Sequence, residues 1–259
     1  PLAYEYKYTG DEHYAYAAID SLMDFIIDKG LAPSDPGKGE GIGIYPTSLS
    51  AAIRVGYIEQ AYLAVVNSKS MDAEANTAIL KFLWVTGDQL KNEKNFHSEN
   101  NWGGTETIAL NPLVTCFPEF SDAVNDTGES WEQIATDRMD MLIGSLVHPD
   151  GSYSEATSQY AIGQFTSYRT YKDELEKNGR SVSPYFDEQL RKFAYYALDL
   201  FTPDGQQVVY GDSDYTKRGS LMDDLVEWYG DEVLHYIDSY GANGTAPDYT
   251  SKAYFDNKT

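Results

Sequence analysis

The sequence predicts an all-α protein in which antiparallel helix pairs curl into a curved layer or toroid, and three observations predict it. Apolar residues recur at three- and four-residue spacing along most of the 259 residues, the period of helices with one buried face. Strand-like alternation is nearly absent. The stretch Leu146-Val147-His148-Pro149-Asp150-Gly151 returns as Leu200-Phe201-Thr202-Pro203-Asp204-Gly205, one helix pair later. Helices that end at the same Pro-Asp-Gly turn are what stacked helical hairpins produce. With about nine helices in alternating directions, a toroid suits the chain better than a four-helix bundle.

From Asp11 to Lys29, the residues Ala15, Ile19, Leu22, Phe25 and Ile26 repeat at helical spacing, and Gly30 stops the run as a C-terminal cap would. Residues 31 to 46 are a Pro- and Gly-rich loop. Thr47 or Ser48 can cap a second helix to about Asn67, with Leu49, Ile53, Tyr57 and Ala61 on one face. A third helix over residues 71 to 91 carries Ile79, Phe82, Leu83 and Val85. A loop at 92 to 104 then precedes a helical run from Thr105 to Phe117, interrupted by Pro112. Ser130 caps the next helix, in which Trp131, Ile134, Met141, Leu142 and Leu146 are apolar. Thr157 or Ser158 opens a helix to about Lys177, closed by Asn178-Gly179, and another runs from Pro184 to Phe201. An extended piece, Gln207 to Tyr210, leads into Gly211-Asp212-Ser213-Asp214, with final helices near 219 to 229 and 231 to 240.

Charge excludes some functions. The chain carries 41 acidic and 19 basic residues, a net charge of −22, which argues against nucleic acid and anionic membrane surfaces as partners. A polyanionic substrate would need a locally neutral or positive groove. No apolar run approaches the roughly 20 residues of a membrane span. Tyrosine is abundant, 22 against 10 Phe and 4 Trp. Its flat ring and polar tip suit a carbohydrate-facing surface, although half-exposed helix positions account for most of them. The single cysteine, Cys116, allows no intrachain disulfide and reads as a small buried hydrophobe. His13, His148 and His235 are scattered, and Asp212 with Asp214 reads as a turn, so no metal site or cofactor is expected. The chain opens at Pro1 without a targeting segment and reads as trimmed.

Chemistry concentrates between residues 95 and 165. The opening, Asn95-Phe96-His97-Ser98-Glu99-Asn100-Asn101-Trp102-Gly103-Gly104-Thr105-Glu106, sets an imidazole, amides, an indole and carboxylates over a turn-prone Asn-Asn and Gly-Gly. Polar and aromatic groups on a loop just ahead of a helix suit a sugar-binding cleft. Phe117-Pro118-Glu119-Phe120, Trp131 and Asp150-Gly151-Ser152-Tyr153-Ser154-Glu155 follow, leading to Gln159-Tyr160. On a helix Tyr160 shares a face with Gln164, Tyr168 and Tyr171, a possible groove lining.

This ordered set, with Gly211-Asp212-Ser213-Asp214, resembles the heparinase II/III-like polysaccharide lyases, which include oligoalginate lyases. The resemblance implies an incomplete (α/α) toroid followed by a β-sandwich domain. Residues 1 to 248 would be the toroid, 249 to 259 the passage into the first sandwich strand, and the sandwich would lie beyond Thr259. It implies a carbon–oxygen lyase that cleaves a uronate-containing glycan, such as a glycosaminoglycan or alginate, by β-elimination. The substrate partner is then an acidic polysaccharide or oligosaccharide, and the protein is expected to be secreted or periplasmic.

Asn101 matches the family's asparagine, the donor to the substrate carboxylate, with Asn100 the alternative if the register slips by one. Tyr160 matches the catalytic tyrosine, but Ala161 follows it where relatives often carry histidine, which leaves the base open. Trp102 stands where some relatives have histidine; it either stacks on a sugar or belongs to the core. His97, Glu106, Glu155 and Gln164 complete the expected substrate-binding set; Glu106 and Glu155 would orient the amides, bind sugar hydroxyls or simply favour a helix start. A further catalytic group is expected from the sandwich, so residues 1 to 259 alone should be nearly inactive. A glycoside hydrolase on a similar toroid, or a non-catalytic glycan-binding module, are the competing readings.

Overall fold

A computed structural model describes residues 1–29, 48–121, 129–202, 206–215, 230–239 and 241–246. Among these the chain is helical, with isolated β-bridges such as Val147–Tyr153 and Phe201–Gln207 and no strand, in agreement with the expected all-α class. It divides into two compact units, one of Pro1–Ser98 and Thr105–Asp137, the other of Glu99–Gly104 and Arg138–Thr259. The expected helix at 219 to 229 and the passage at 249 to 259 lie outside the described residues.

The first unit begins with helices α1 (Leu2–Thr9), α2 (Glu12–Lys29), α3 (Ser48–Val65) and α4 (Ala73–Leu90). Helix α1 was not expected from the sequence, because Tyr4, Tyr6 and Tyr8 alternate with period two and only Ala3 is buried. Gly10, at φ 68°, closes it with a left-handed cap that an L side chain rarely adopts. Helix α3 buries Ala51, Ala52, Val55, Ile58, Glu59, Tyr62 and Val65. The expected face was the other one. Ile53 and Tyr57 are exposed, and with Leu22, Phe25 and Arg54 they line an apolar cavity of about 430 Å³. Both faces of α3 carry apolar residues, so periodicity alone could not choose between them.

Helices α5 (Asn101–Ile108), α6 (Leu110–Cys116) and α7 (Pro118–Ser121) follow. The break between α5 and α6 has a covalent cause. Pro112 has no N–H to give the carbonyl four residues back, that of Ile108, and its ring would clash there, so α5 ends at that residue. Cys116 at the end of α6 is exposed, not buried as expected. In the core, Trp131 is fully buried and its ring lies where a Cβ on Gly87 would stand, 2.3 Å from Cζ3. That contact requires glycine in the last turn of α4.

The second unit contains most of α8 (Trp131–Leu146), then α9 (Ser158–Lys177), α10 (Pro184–Asp199) and α11 (Glu232–Asp238). Helices α9 and α10 are antiparallel. Tyr171 and Tyr168 meet Phe186, while Tyr168 and Phe165 meet Phe193, so numbering rises on one helix as it falls on the other. Lys172 closes the turn end of the pair through Asp187, at 2.6 Å.

The residues that flank the two Pro-Asp-Gly stretches make matching backbone bonds, with residues 203–205 themselves outside the described residues. After α8, Ser154 N donates to Leu146 O and His148 N to Ser152 O, around the Val147–Tyr153 bridge. After α10, Val208 N donates to Leu200 O and Thr202 N to Gln206 O, around the Phe201–Gln207 bridge. The segments that follow the two bridges, 155–160 and 207–214, pack on one another.

Candidate functional site

The first turn of α5 sits in what the sequence reads as a loop. Asn-Asn and Gly-Gly are poor helix formers, yet the helix begins at Asn101 because its first amides are supplied with acceptors. The Asn100 side chain accepts from Trp102 N at 2.9 Å, an N-terminal cap. Glu155 Oε1 accepts from Asn101 N at 2.6 Å. A carboxylate at a helix start also opposes the positive end of the backbone dipoles. Glu155 is thus a remote cap, 54 residues along the chain, and it ties the 99–104 segment to the start of α9. A second tie lies three residues on. The amide of Gln164 packs on Gly104 so closely that a Cβ there would be 2.2 Å from Nε2.

Five residues after Glu155 comes Tyr160, about a third exposed, on the first turn of α9. Its hydroxyl donates to Asp212 Oδ2 at 3.2 Å. That bond to Asp212, with the charge of the same carboxylate, raises the tyrosine above its ordinary value; partial burial and Glu155 push in the same direction. Both charges oppose phenolate. Tyr160 is therefore held as a phenol.

The helix face expected to line a groove with Tyr160 does not do so. Gln164, Tyr168 and Tyr171 are all buried, because α9 turns that face onto α10. The Gln164 Nε2 and the hydroxyls of Tyr168 and Tyr153 are buried without a hydrogen-bond partner, and burial pushes both of these tyrosines well up. Tyr153 stacks on Phe193 at 5.3 Å.

His97 and Glu106 make a separate cluster in the first unit. Glu106 is fully buried. Its Oε2 accepts from His97 N at 3.0 Å, and Oε1 meets His97 Nδ1 at 2.8 Å and the Ser48 hydroxyl. The Glu106 contact places a proton on Nδ1, so a neutral imidazole carries its acceptor on Nε2. Glu106 holds His97 in orientation and, at zero exposure, is out of reach of a sugar hydroxyl. Trp102 and Asn101 are both half-buried.

Sequence reasoning left Asp212 as a turn residue and Ser48 as a helix cap, and gave Gly104 and Ser213 no role of their own. The Gly211-Asp212-Ser213-Asp214 motif was visible, but nothing in it says that it lands on the start of α9.

The family profile described as "Heparinase II/III N-terminus" matches residues 1–231. The chain belongs to the heparinase II/III family. Solved structures similar to this heparinase II/III member include a heparan sulfate lyase, HepC, from Pedobacter heparinus, with TM-score 0.70 and 21% identity over 97% of this chain and 39% of that one. A heparinase III gives TM-score 0.77 and 23% identity over 95% of this chain and 38% of that one. Another heparinase III gives 0.75 and 18% over 98% and 42%. At these identities the likeness is one of fold, and it agrees with the incomplete (α/α) toroid of helix pairs that the resemblance implies. The chain spans about two fifths of the length of these structures. No curated protein matches the chain. No described helix of this heparinase II/III member is long and apolar enough to cross a membrane.

Proposed function

We propose that this protein is a polysaccharide lyase that cleaves a uronate-containing glycosaminoglycan by β-elimination, acting outside the cytoplasm where such polymers occur. The observation that carries the reading is the bond from Asn101 N to Glu155, five residues ahead of Tyr160, in a chain of this family. Heparan sulfate and heparin are what the similar solved structures act on by their names.

The reaction removes the proton on C5, next to a carboxylate, and breaks the bond between C4 and the bridging oxygen. An ionised carboxylate makes that proton weakly acidic, so charge building on it needs a donor. The Asn101 side-chain amide is assigned that role. A well-placed donor of this kind contributes about 3 kcal/mol to the transition state. Tyr160, as a phenol, is assigned the proton delivered to the departing C4 oxygen, since an alkoxide is far more basic than phenolate. The base that takes the C5 proton is a separate group. Asn100 and Glu155 set the turn that carries Asn101, and Trp102 offers an indole beside it.

The test is a panel of uronate glycans followed by the ultraviolet absorbance of the product double bond, which a hydrolase does not generate. Asn101→Ala in the intact protein should lower kcat about 100- to 1000-fold with little change in KM, because its bond strengthens only as the carboxylate gains charge. Reducing ends appearing without absorbance would assign a hydrolase. Binding with neither would leave a glycan-binding module. Unchanged turnover in Asn101→Ala would remove the amide from the mechanism.

A further inference from the structure

The 211–214 turn is built onto the start of α9 from several directions at once. Helix α9 has no cap of its own, since the Thr157 side chain makes no capping bond. Ser213 supplies one from a distance. Its Oγ donates to Tyr210 O at 2.8 Å, and that leaves its lone pairs for Gln159 N at 3.0 Å. Thr157 Oγ1 lies 2.8 Å from the same oxygen and 3.1 Å from Asp212 O. Asp214 N donates to Gln159 Oε1 at 2.9 Å. Gly211 takes φ +64° and lies so close that a Cβ would stand 2.2 Å from Ala156 O, so only glycine fits. The residue carried between Gly211 and Ser213 is Asp212, and its carboxylate meets the Tyr160 hydroxyl.

We infer that Asp212 is a positioning residue that aims the Tyr160 hydroxyl and keeps it protonated, so that this tyrosine donates a proton and does not act as the base. What the proton is used for rests on the lyase reading; the state of Tyr160 does not. Carboxylate and phenol ordinarily titrate about six pH units apart, so the shared proton stays on the tyrosine. The bond between them exists only while it stays there. Removing it would replace a charge-assisted hydrogen bond with two facing anions. Among the described residues, Asp212 from this turn and Glu155 from the segment before α9 are the charged groups acting on Tyr160, and both are acidic. No cation among them favours phenolate.

The experiment labels tyrosine at Cζ with carbon-13 in the intact protein, identifies the Tyr160 signal by its loss in Tyr160→Phe, and titrates it by NMR. The wild-type midpoint should lie above the ordinary ~10 of a tyrosine. It should fall in Asp212→Asn and return toward wild type in Asp212→Glu. A wild-type midpoint at or below the ordinary value overturns the inference even if no variant folds, as does an Asp212→Asn midpoint equal to wild type. With substrate, Asp212→Asn should move the alkaline limb of kcat to lower pH. Faster turnover at neutral pH in that variant would mean that phenolate is the working form, and would also overturn it. A titration that behaves as expected in a protein that releases no unsaturated product supports this inference while the lyase reading fails, so the two are tested separately.

Discussion

His97 and Tyr160 each meet a carboxylate, one in each compact unit, and the two settings differ in what surrounds the acid. Glu106 is wholly buried and gathers the backbone N–H and Nδ1 of His97 together with the Ser48 hydroxyl. Asp212 is exposed; its side chain takes the Tyr160 hydroxyl, and its backbone is held by Thr157. A carboxylate stripped of water must satisfy its oxygens from the protein, so it acts as structure and its removal strands several donors. One that keeps its water loses little when altered and exerts its effect on the charge state of its neighbour. Burial of the acid, more than the identity of the ring, separates a structural pair from a tuning pair.

The largest effect that would break this comparison is on stability. Glu106→Ala should cost about 3 kcal/mol in chemical denaturation, from orphaned buried donors and the space left behind. Tyr160→Phe removes one exposed hydroxyl and should stay within about 0.5 kcal/mol of wild type. Equal losses in the two variants would mean that burial is not what distinguishes the pairs.

A middle-sized effect concerns the tie between α5 and α9. Gly104→Ala gains about 1 kcal/mol of helix propensity but drives a methyl into the Gln164 amide, which costs about 1–3 kcal/mol. The net should be a destabilisation. Gly163→Ala, one residue before Gln164 with nothing within 4 Å of its Cβ position, should instead raise the melting temperature. If Gly104→Ala melts higher than wild type, the Gln164 amide swings away freely and the tie is loose.

The smallest effect sharpens the role of the 211–214 turn. Ser213→Ala removes the remote cap of α9 and should cost about 1 kcal/mol, read as a lower denaturation midpoint with an unchanged m-value. No loss would mean that water replaces the serine at the helix start.

Much of the helical framework was legible because it depends on spacing. The cap at Ser130 and the stop at Gly179 follow from side chains and backbone angles a few residues away. The candidate site was less legible. Residues 92 to 104 read as loop because local propensity is weak there, whereas a 3-10 turn at Glu93–Asn95 and the start of α5 are observed. The acceptor that makes Asn101 helical is Glu155, and no local window contains both. The face of α9 suffered the reverse error. Tyr168 and Tyr171 look amphipathic enough to line a groove, and only the antiparallel α10 shows that their rings are core.

By itself the sequence determined the helix pairs, the matching bridges that flank the repeated stretch, the break at Pro112 and the family, because these are set by residues within about a dozen positions of one another or by motif order. Tertiary structure alone decided which face of α3 is buried, that Glu155 and Ser213 cap helices far from them in sequence, and that Asp212 reaches Tyr160. The physical reason is range. Propensity and periodicity act along the chain, whereas burial and the pairing of charges depend on distances through space between groups that lie 52 to 54 residues apart.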